Sequence, residues 1–168
     1  MKTLDDDRAR SFRVRPARED DVSFIVRLHE LEHVQKFLKA PAEDDIRRAF
    51  ASDRVKQFIL EQGGEPAGLM LLDYFEDWLV ELRRIAVARP GTGLGTFAIR
   101  WALDHAFNER GAHRVYLSVA AANERARALY GRLGFVLEGT SRHGFRNHVS
   151  CAYEDLCSYG CLATDRRD

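Results

Sequence analysis

At 168 residues the chain has the length of one domain, long enough to bury roughly two-thirds of the surface it would expose unfolded. Lys plus Arg equals Asp plus Glu at 26 each, a balance that creates no net field for nucleic acid or an anionic membrane. No apolar run reaches membrane-spanning length, and the polar Met1 to Ser11 stretch lacks the apolar centre of a signal peptide, so the expectation is a cytoplasmic protein. A single domain over 12–162 is expected between a flexible N-terminus (1–11) and a C-terminal tail (163–168).

Phe12 to Arg15 alternates apolar and charged residues as far as Pro16 and reads as a first strand. Asp20 and Asp21 open a helix whose stripe is Val22, Ile25, Leu28 and Leu31 or Glu32, and Pro41 separates it from a second short helix bearing Ile46, Ala49 and Phe50. His29 and His33 stand four apart and read as a solvated helix face rather than as metal ligands. Gln57 to Glu61, a Gly63-Gly64 turn and Gly68 to Tyr74 predict a hairpin, with Trp78 to Val87 as a third antiparallel strand. A glycine loop then opens a helix with Leu94, Ala98, Trp101, Ala102, His105 and Ala106 inward, which Gly111 ends. Arg114 to Val119 reads as a buried strand, followed by a helix from Asn123. Phe135 to Leu162 reads as two further strands joined by a polar loop from Ser141 to Asn147. Cys151, Cys157 and Cys161 match no paired zinc spacing and read as reduced and structural, and no metal is expected.

The junction at Gly91-Thr92-Gly93-Leu94-Gly95-Thr96 carries the most chemistry. An apolar strand runs into glycines and then directly into a helix, whose first-turn N–H groups and dipole favour an anion. A dinucleotide loop would need G-x-G-x-x-G spacing and an acidic residue about 20 positions on, where this chain has Val115, Tyr116 and Leu117; a triphosphate loop would need a Lys after the glycines. Gly91-x-Gly93-x-Gly95 resembles the pyrophosphate loop of the GNAT acetyltransferases. Asn123-Glu124-Arg125-Ala126-Arg127-Ala128-Leu129-Tyr130-Gly131-Arg132-Leu133-Gly134-Phe135 is similar to a second segment of that superfamily, and both occur in its order. Read physically, Asn123 can cap a helix, Gly134 can end it, and Ala126, Leu129, Tyr130 and Leu133 recur at helical spacing.

The resemblance implies an α+β fold in three α/β/α layers, a mixed and mostly antiparallel sheet of about seven strands whose central pair, Trp78 to Val87 and Arg114 to Val119, splays into a cleft. It implies an N-acetyltransferase that moves an acetyl group from acetyl-CoA to a primary amine by direct attack through a tetrahedral intermediate. The implied coenzyme contacts are Ile85, Ala86 and Val87 along the strand, Gly91, Thr92, Gly93, Leu94, Gly95 and Thr96 in the loop, and Asn123, Ala126 and Tyr130 beyond. Glu81 is the implied base, with Asp73 and Glu30 in reserve, and Tyr130 the implied donor to the departing sulfur. Pro90 stands where the pattern has Arg or Gln, which displaces Arg89 by one position and shortens the loop.

The nearest branch by resemblance contains ribosomal-protein N-terminal and polyamine acetyltransferases, which implies a small-molecule amine or a peptide N-terminus as acceptor and leaves room for a homodimer. Glu30, Glu32 and His33 are candidates to receive a cationic amine. Two other readings stand beside the enzyme: a non-catalytic module that binds or senses acyl-CoA, and a partner-binding domain that uses the cleft for a peptide edge.

Overall fold

In the computed structural model, which describes residues 11–165, the chain begins with strand β1 (Phe12–Pro16) and helix α1 (Val22–His29), followed by a short turn of helix, α2 (Glu32–Gln35), and α3 (Glu43–Phe50). The antiparallel run β2 (Val55–Gln62), β3 (Glu65–Glu76) and β4 (Leu79–Val87) leads to α4 (Leu94–Asp104), β5 (Arg114–Ala120), α5 (Glu124–Arg132), β6 (Val136–Arg146) and β7 (Tyr153–Leu162). The flexible N-terminus expected over 1–11 lies, apart from Ser11, outside the described residues. Of the expected tail, Ala163–Asp165 form a 3-10 turn that Asp165 closes by accepting the Leu162 amide at 2.9 Å.

The strands form one sheet in the order β1-β2-β3-β4-β5-β7-β6, antiparallel throughout except for the β4–β5 pair. Its two faces carry separate cores. On one, Leu94, Ala98, Ile99 and Ala102 of α4 pack on Leu60, Met70, Leu82, Val115 and Leu117. On the other, Val22, Ile25 and Leu28 of α1 and Ile46 of α3 pack on Ile59, Leu69 and Ala86. The 3.6-residue stripe of each helix thus meets the two-residue alternation of the strands, and each side chain fully removed from water contributes about 2 kcal/mol.

Two expectations are corrected. The polar stretch Ser141 to Asn147 is not a loop: β6 runs through to Arg146, with two extra residues between Ser141, opposite Leu156, and Phe145, opposite Glu154. The actual connection is a turn over 147–152 in which Asn147 Oδ1 accepts the amides of Val149 and Ser150. His29 is not on a solvated face. It is fully buried, because α1 stops at His29 and its last turn sits against the sheet.

Candidate active site

The centre of the sheet divides. β4 and β5 are in register only at Leu79–Arg114, Val80–Val115 and Glu81–Tyr116, and beyond these three pairs they diverge. Parallel strands can part here because β4 is still held on its other edge by β3 as far as Gly68–Val87, and β5 by β7 as far as Ala120–Leu156. A cleft of about 530 Å³ opens from the fork, walled by Leu82 to Val87, Ser118 to Ala120 and one side of α5. β4 also bulges: Leu71 faces Arg84 and Leu72 faces Leu82, so Arg83 is the unmatched residue and the side chains beyond it change faces. Ile85 and Val87 therefore point to the α4 side, while Ala86 packs with α1.

The glycine loop stands at the far end of this cleft. Gly93 is the N-cap of α4 at φ +94°, a conformation that glycine adopts without strain, and a Cβ there would meet only Phe12 at ordinary contact distance, 3.6 Å. The Leu94 amide leans on Thr92 Oγ1 at 3.4 Å, and the first intrahelical bond is Phe97 N–H to Gly93 C=O at 3.0 Å, which leaves the Gly95 and Thr96 amides at the open first turn. The Arg125 guanidinium of α5 reaches the same place, 3.4 Å from where a Cβ on Gly91 would stand, and pairs with no carboxylate among the described residues. A pyrophosphate fits this combination of free amides and a free guanidinium. Arg89 is exposed and does not line the cleft. Arg125 carries no signal of its own in the sequence, since a basic residue on an amphipathic helix is ordinarily a solvated one.

Among the residues named from the sequence, Ile85, Ala86, Val87, Gly95, Asn123, Ala126, Tyr130 and His33 line the cleft. Gly91, Thr92, Gly93, Leu94 and Thr96 shape its end without lining it, and the Leu94 side chain is buried in the core. Asn123 caps α5 by accepting the Ala126 amide at 3.2 Å, and the helix closes where Gly134, at φ +95°, lets the Phe135 amide reach Tyr130 C=O at 3.1 Å. Tyr130 is 7% exposed, its ring packed edge-on against Phe135 at 5.7 Å between centroids. Burial pushes its hydroxyl up to about 12, so it stays an O–H donor. His33 lies 2.9 Å from Val87 C=O and occupies an acceptor on the β4 edge; Glu30 is exposed outside the cleft.

Glu81 sits at the vertex of the fork, opposite Tyr116 on β5 and Asp73 on β3. It is half-buried and lies just below the cleft rather than in its walls. Burial raises its carboxyl above the ordinary range, with the nearby Asp73 charge adding to the rise and Arg83 opposing it. Arg83 does not neutralise Glu81; it pairs with the fully buried Asp73 at 3.3 Å, which Arg54 also holds at 2.7 Å. Asp73 is thus committed to two guanidinium groups, and Glu81 holds no ion pair among the described residues. Tyr116, which the sequence did not single out, joins this cluster, its phenol raised by burial and by Glu81 and Asp73.

Comparison with known proteins agrees with this geometry. Residues 22–135 match the model of the acetyltransferase (GNAT) family. The chain is 28% identical over 154 residues, covering 82% of it and 79% of the relative, to a spermidine N(1)-acetyltransferase of Escherichia coli (strain K12). Its fold is similar to that of a spermidine N-acetyltransferase from Vibrio cholerae in complex with CoA and spermine, at TM-score 0.82 and 23% identity over 92% of this chain and 96% of the other. A dodecameric structure of spermidine N-acetyltransferase from Vibrio cholerae superposes at TM-score 0.77 and 23% identity, over 91% and 94% of the two chains.

Proposed function

This chain belongs to the acetyltransferase (GNAT) family, and from that premise we propose a division of labour within an acetyl-CoA-dependent N-acetyltransferase in which Glu81 takes the proton of the incoming amine and Tyr130 donates to the sulfur. The observation that carries it is the fork: the strand pair ends at Glu81–Tyr116, and the cleft that opens there is lined by Tyr130. The alternative of a non-catalytic acyl-CoA sensor finds no support in the family or its relatives.

Acetyl-CoA supplies the thioester carbonyl that a neutral amine attacks. An amine arrives mostly as ammonium, so the chain must remove a proton. A carboxylate raised by burial holds that proton better than an ordinary surface Glu, and Glu81 keeps this character against the opposing charge of Arg83. Tyr130, raised to about 12, is a weaker acid than an alkyl thiol at about 8.5, and its contribution is a fixed hydrogen-bond donor that lowers the basicity demanded of the leaving sulfur. The Gly95 and Thr96 amides with Arg125 hold the pyrophosphate, and the β4 edge over Ile85 to Val87 orients the pantetheine arm as a neighbouring strand would.

The acceptor is a primary amine, carried by a small molecule or a peptide N-terminus. Three free cysteines, two of them buried in β7, suit the reducing cytoplasm, and a homodimer is the smallest assembly we assign. Thiol release from acetyl-CoA, followed against a panel of primary amines, tests the reading; amine-independent release at the background rate with every member of the panel overturns it.

A further inference from the structure

Arg84 is a half-buried guanidinium without a counter-ion among the described residues. Its Nη1 donates to His29 Nε2 at 2.7 Å and to Lys39 C=O at 3.1 Å, both uncharged acceptors. The fully buried His29 gives its Nδ1 proton to Ile25 C=O at 2.7 Å, so Nε2 keeps the lone pair that Arg84 uses and the imidazole is neutral. No carboxylate lies within ion-pair distance of Arg84 among the described residues. A buried charge is costly unless something pairs with it.

Arg84 also stands at a junction. With Arg83 and Leu38 it lines both the coenzyme cleft and a second cavity of about 920 Å³ between α1, α3 and the sheet. That second cavity has four cationic residues on its walls, Lys39, Arg48, Arg83 and Arg84, against Asp45 alone. Arg48 already engages Asp45, and Arg83 shares Asp73 with Arg54. Ile25, Leu38, Leu69 and Leu71 supply apolar walls between the charges. Pyrophosphate does not explain Arg84: Arg125 and the α4 amides already meet it beyond the Val87 end of β4, whereas the Arg84 guanidinium is turned to His29 on the α1 side.

We propose that the acceptor amine carries its own carboxylate, which Arg84 binds while an apolar side chain lies against Leu38 and Leu71, so that the acceptor class is an amino acid with an apolar side chain rather than a polyamine. This rests on the acetyl-transfer reading and names the substrate of the same site. A guanidinium fork matches a carboxylate in two parallel hydrogen bonds, and the excess of cationic over acidic side chains on the cavity walls disfavours a polycation. His29 is a positioning residue, holding the fork toward the cavity.

The test is thiol release from acetyl-CoA with leucine and phenylalanine, with 3-methylbutylamine and phenethylamine as the same molecules lacking the carboxylate, and with spermidine. The amino acids should exceed their carboxylate-free counterparts by about tenfold or more in kcat/KM, and Arg84→Gln should raise KM for the amino acids about ten- to a hundredfold while KM for acetyl-CoA and for the plain amines stays put. Arg84→Lys, which keeps charge and loses the fork, should fall between. Preference for spermidine, or equal use of the matched amines, overturns the inference and leaves the transferase reading standing. If no amine of any class releases thiol, the transferase reading fails, and calorimetric titration of leucine into the CoA-saturated protein still decides: binding that Arg84→Gln abolishes supports the carboxylate site, and no binding, or binding that survives Arg84→Gln, overturns it.

Discussion

The Tyr130 ring and its hydroxyl do different work, and one substitution separates them. The ring fills the core between Phe135 and Tyr159, whereas the hydroxyl has no hydrogen-bond partner among the described residues. Tyr130→Phe should therefore leave stability within about 1 kcal/mol and CoA affinity unchanged while lowering kcat about a hundredfold, measured by melting temperature, CoA titration and turnover on the same variant. Wild-type kcat at saturating acetyl-CoA would make Tyr130 a packing residue. For Glu81 the argument runs through pH. Its carboxyl is raised in the folded protein, so the stability it contributes is fully present below the ordinary carboxylate range and is lost as pH rises through the folded value. Over the same rise the base form appears, so activity climbs as this stability falls. Glu81→Gln should cut turnover about a hundredfold, flatten the ascending limb of the rate profile, and remove that pH-dependent loss of stability from denaturant titrations taken on either side of the limb. Retention of both the rate and the limb assigns the base to another group.

At the scale of elements, α4 and the loop before it make the strongest claim on the coenzyme. Gly93 is held at φ +94° and a Cβ there would make only ordinary contact with Phe12, so a side chain is resisted by the backbone rather than by a clash. Gly93→Val should turn the loop out of its conformation and weaken CoA binding at least about tenfold by calorimetry; unchanged affinity would remove the loop from the phosphate site. This element was legible in the sequence because glycine spacing before an apolar helix has few other causes, and Asn123 with Gly134 marked α5 equally well. β6 was not legible: nearly every residue of this sheet-edge strand is exposed on both faces, so no apolar alternation separates Ser141 to Arg146 from a loop. Nor was the His29 environment. Spacing puts His29 and His33 on one side of a helix, but what meets His29 is Arg84, brought from a strand 55 residues away by tertiary structure. The cleft residues that could be named, Ile85 to Val87 and Tyr130, sit inside recognisable segments; Arg84 and Arg125 sit in the same segments at positions where a basic residue is ordinarily solvated, and Tyr116 sits in a strand whose local pattern is that of any strand.

For the whole molecule, coenzyme binding and folding are linked. A ligand that binds only the folded chain stabilises it by about 2.7 kcal/mol at a hundredfold excess over Kd, which for a domain of this size raises the melting temperature by roughly 5–10 °C. Wild-type protein should show that shift with CoA and the Gly93→Val variant should not; equal shifts would mean that CoA binds elsewhere. The β4–β5 seam gives the linkage a direction. β1 to β4 form one ladder and β5 to β7 another, and only Leu79–Arg114, Val80–Val115 and Glu81–Tyr116 stitch the two together. The join is extended by the His113 amide on Trp78 C=O at 2.9 Å, by the Phe75–Tyr116 ring contact and by side-chain packing under α4. Such a joint is the place for sub-global opening, in which each half keeps its own backbone pairing while the join loosens. Amide deuterium uptake should then sort into two cooperative blocks with the seam amides exchanging first, and CoA should slow the seam more than either block's interior. The coenzyme is in that sense a fastener: the gap that admits it is also the crack along which the sheet comes apart.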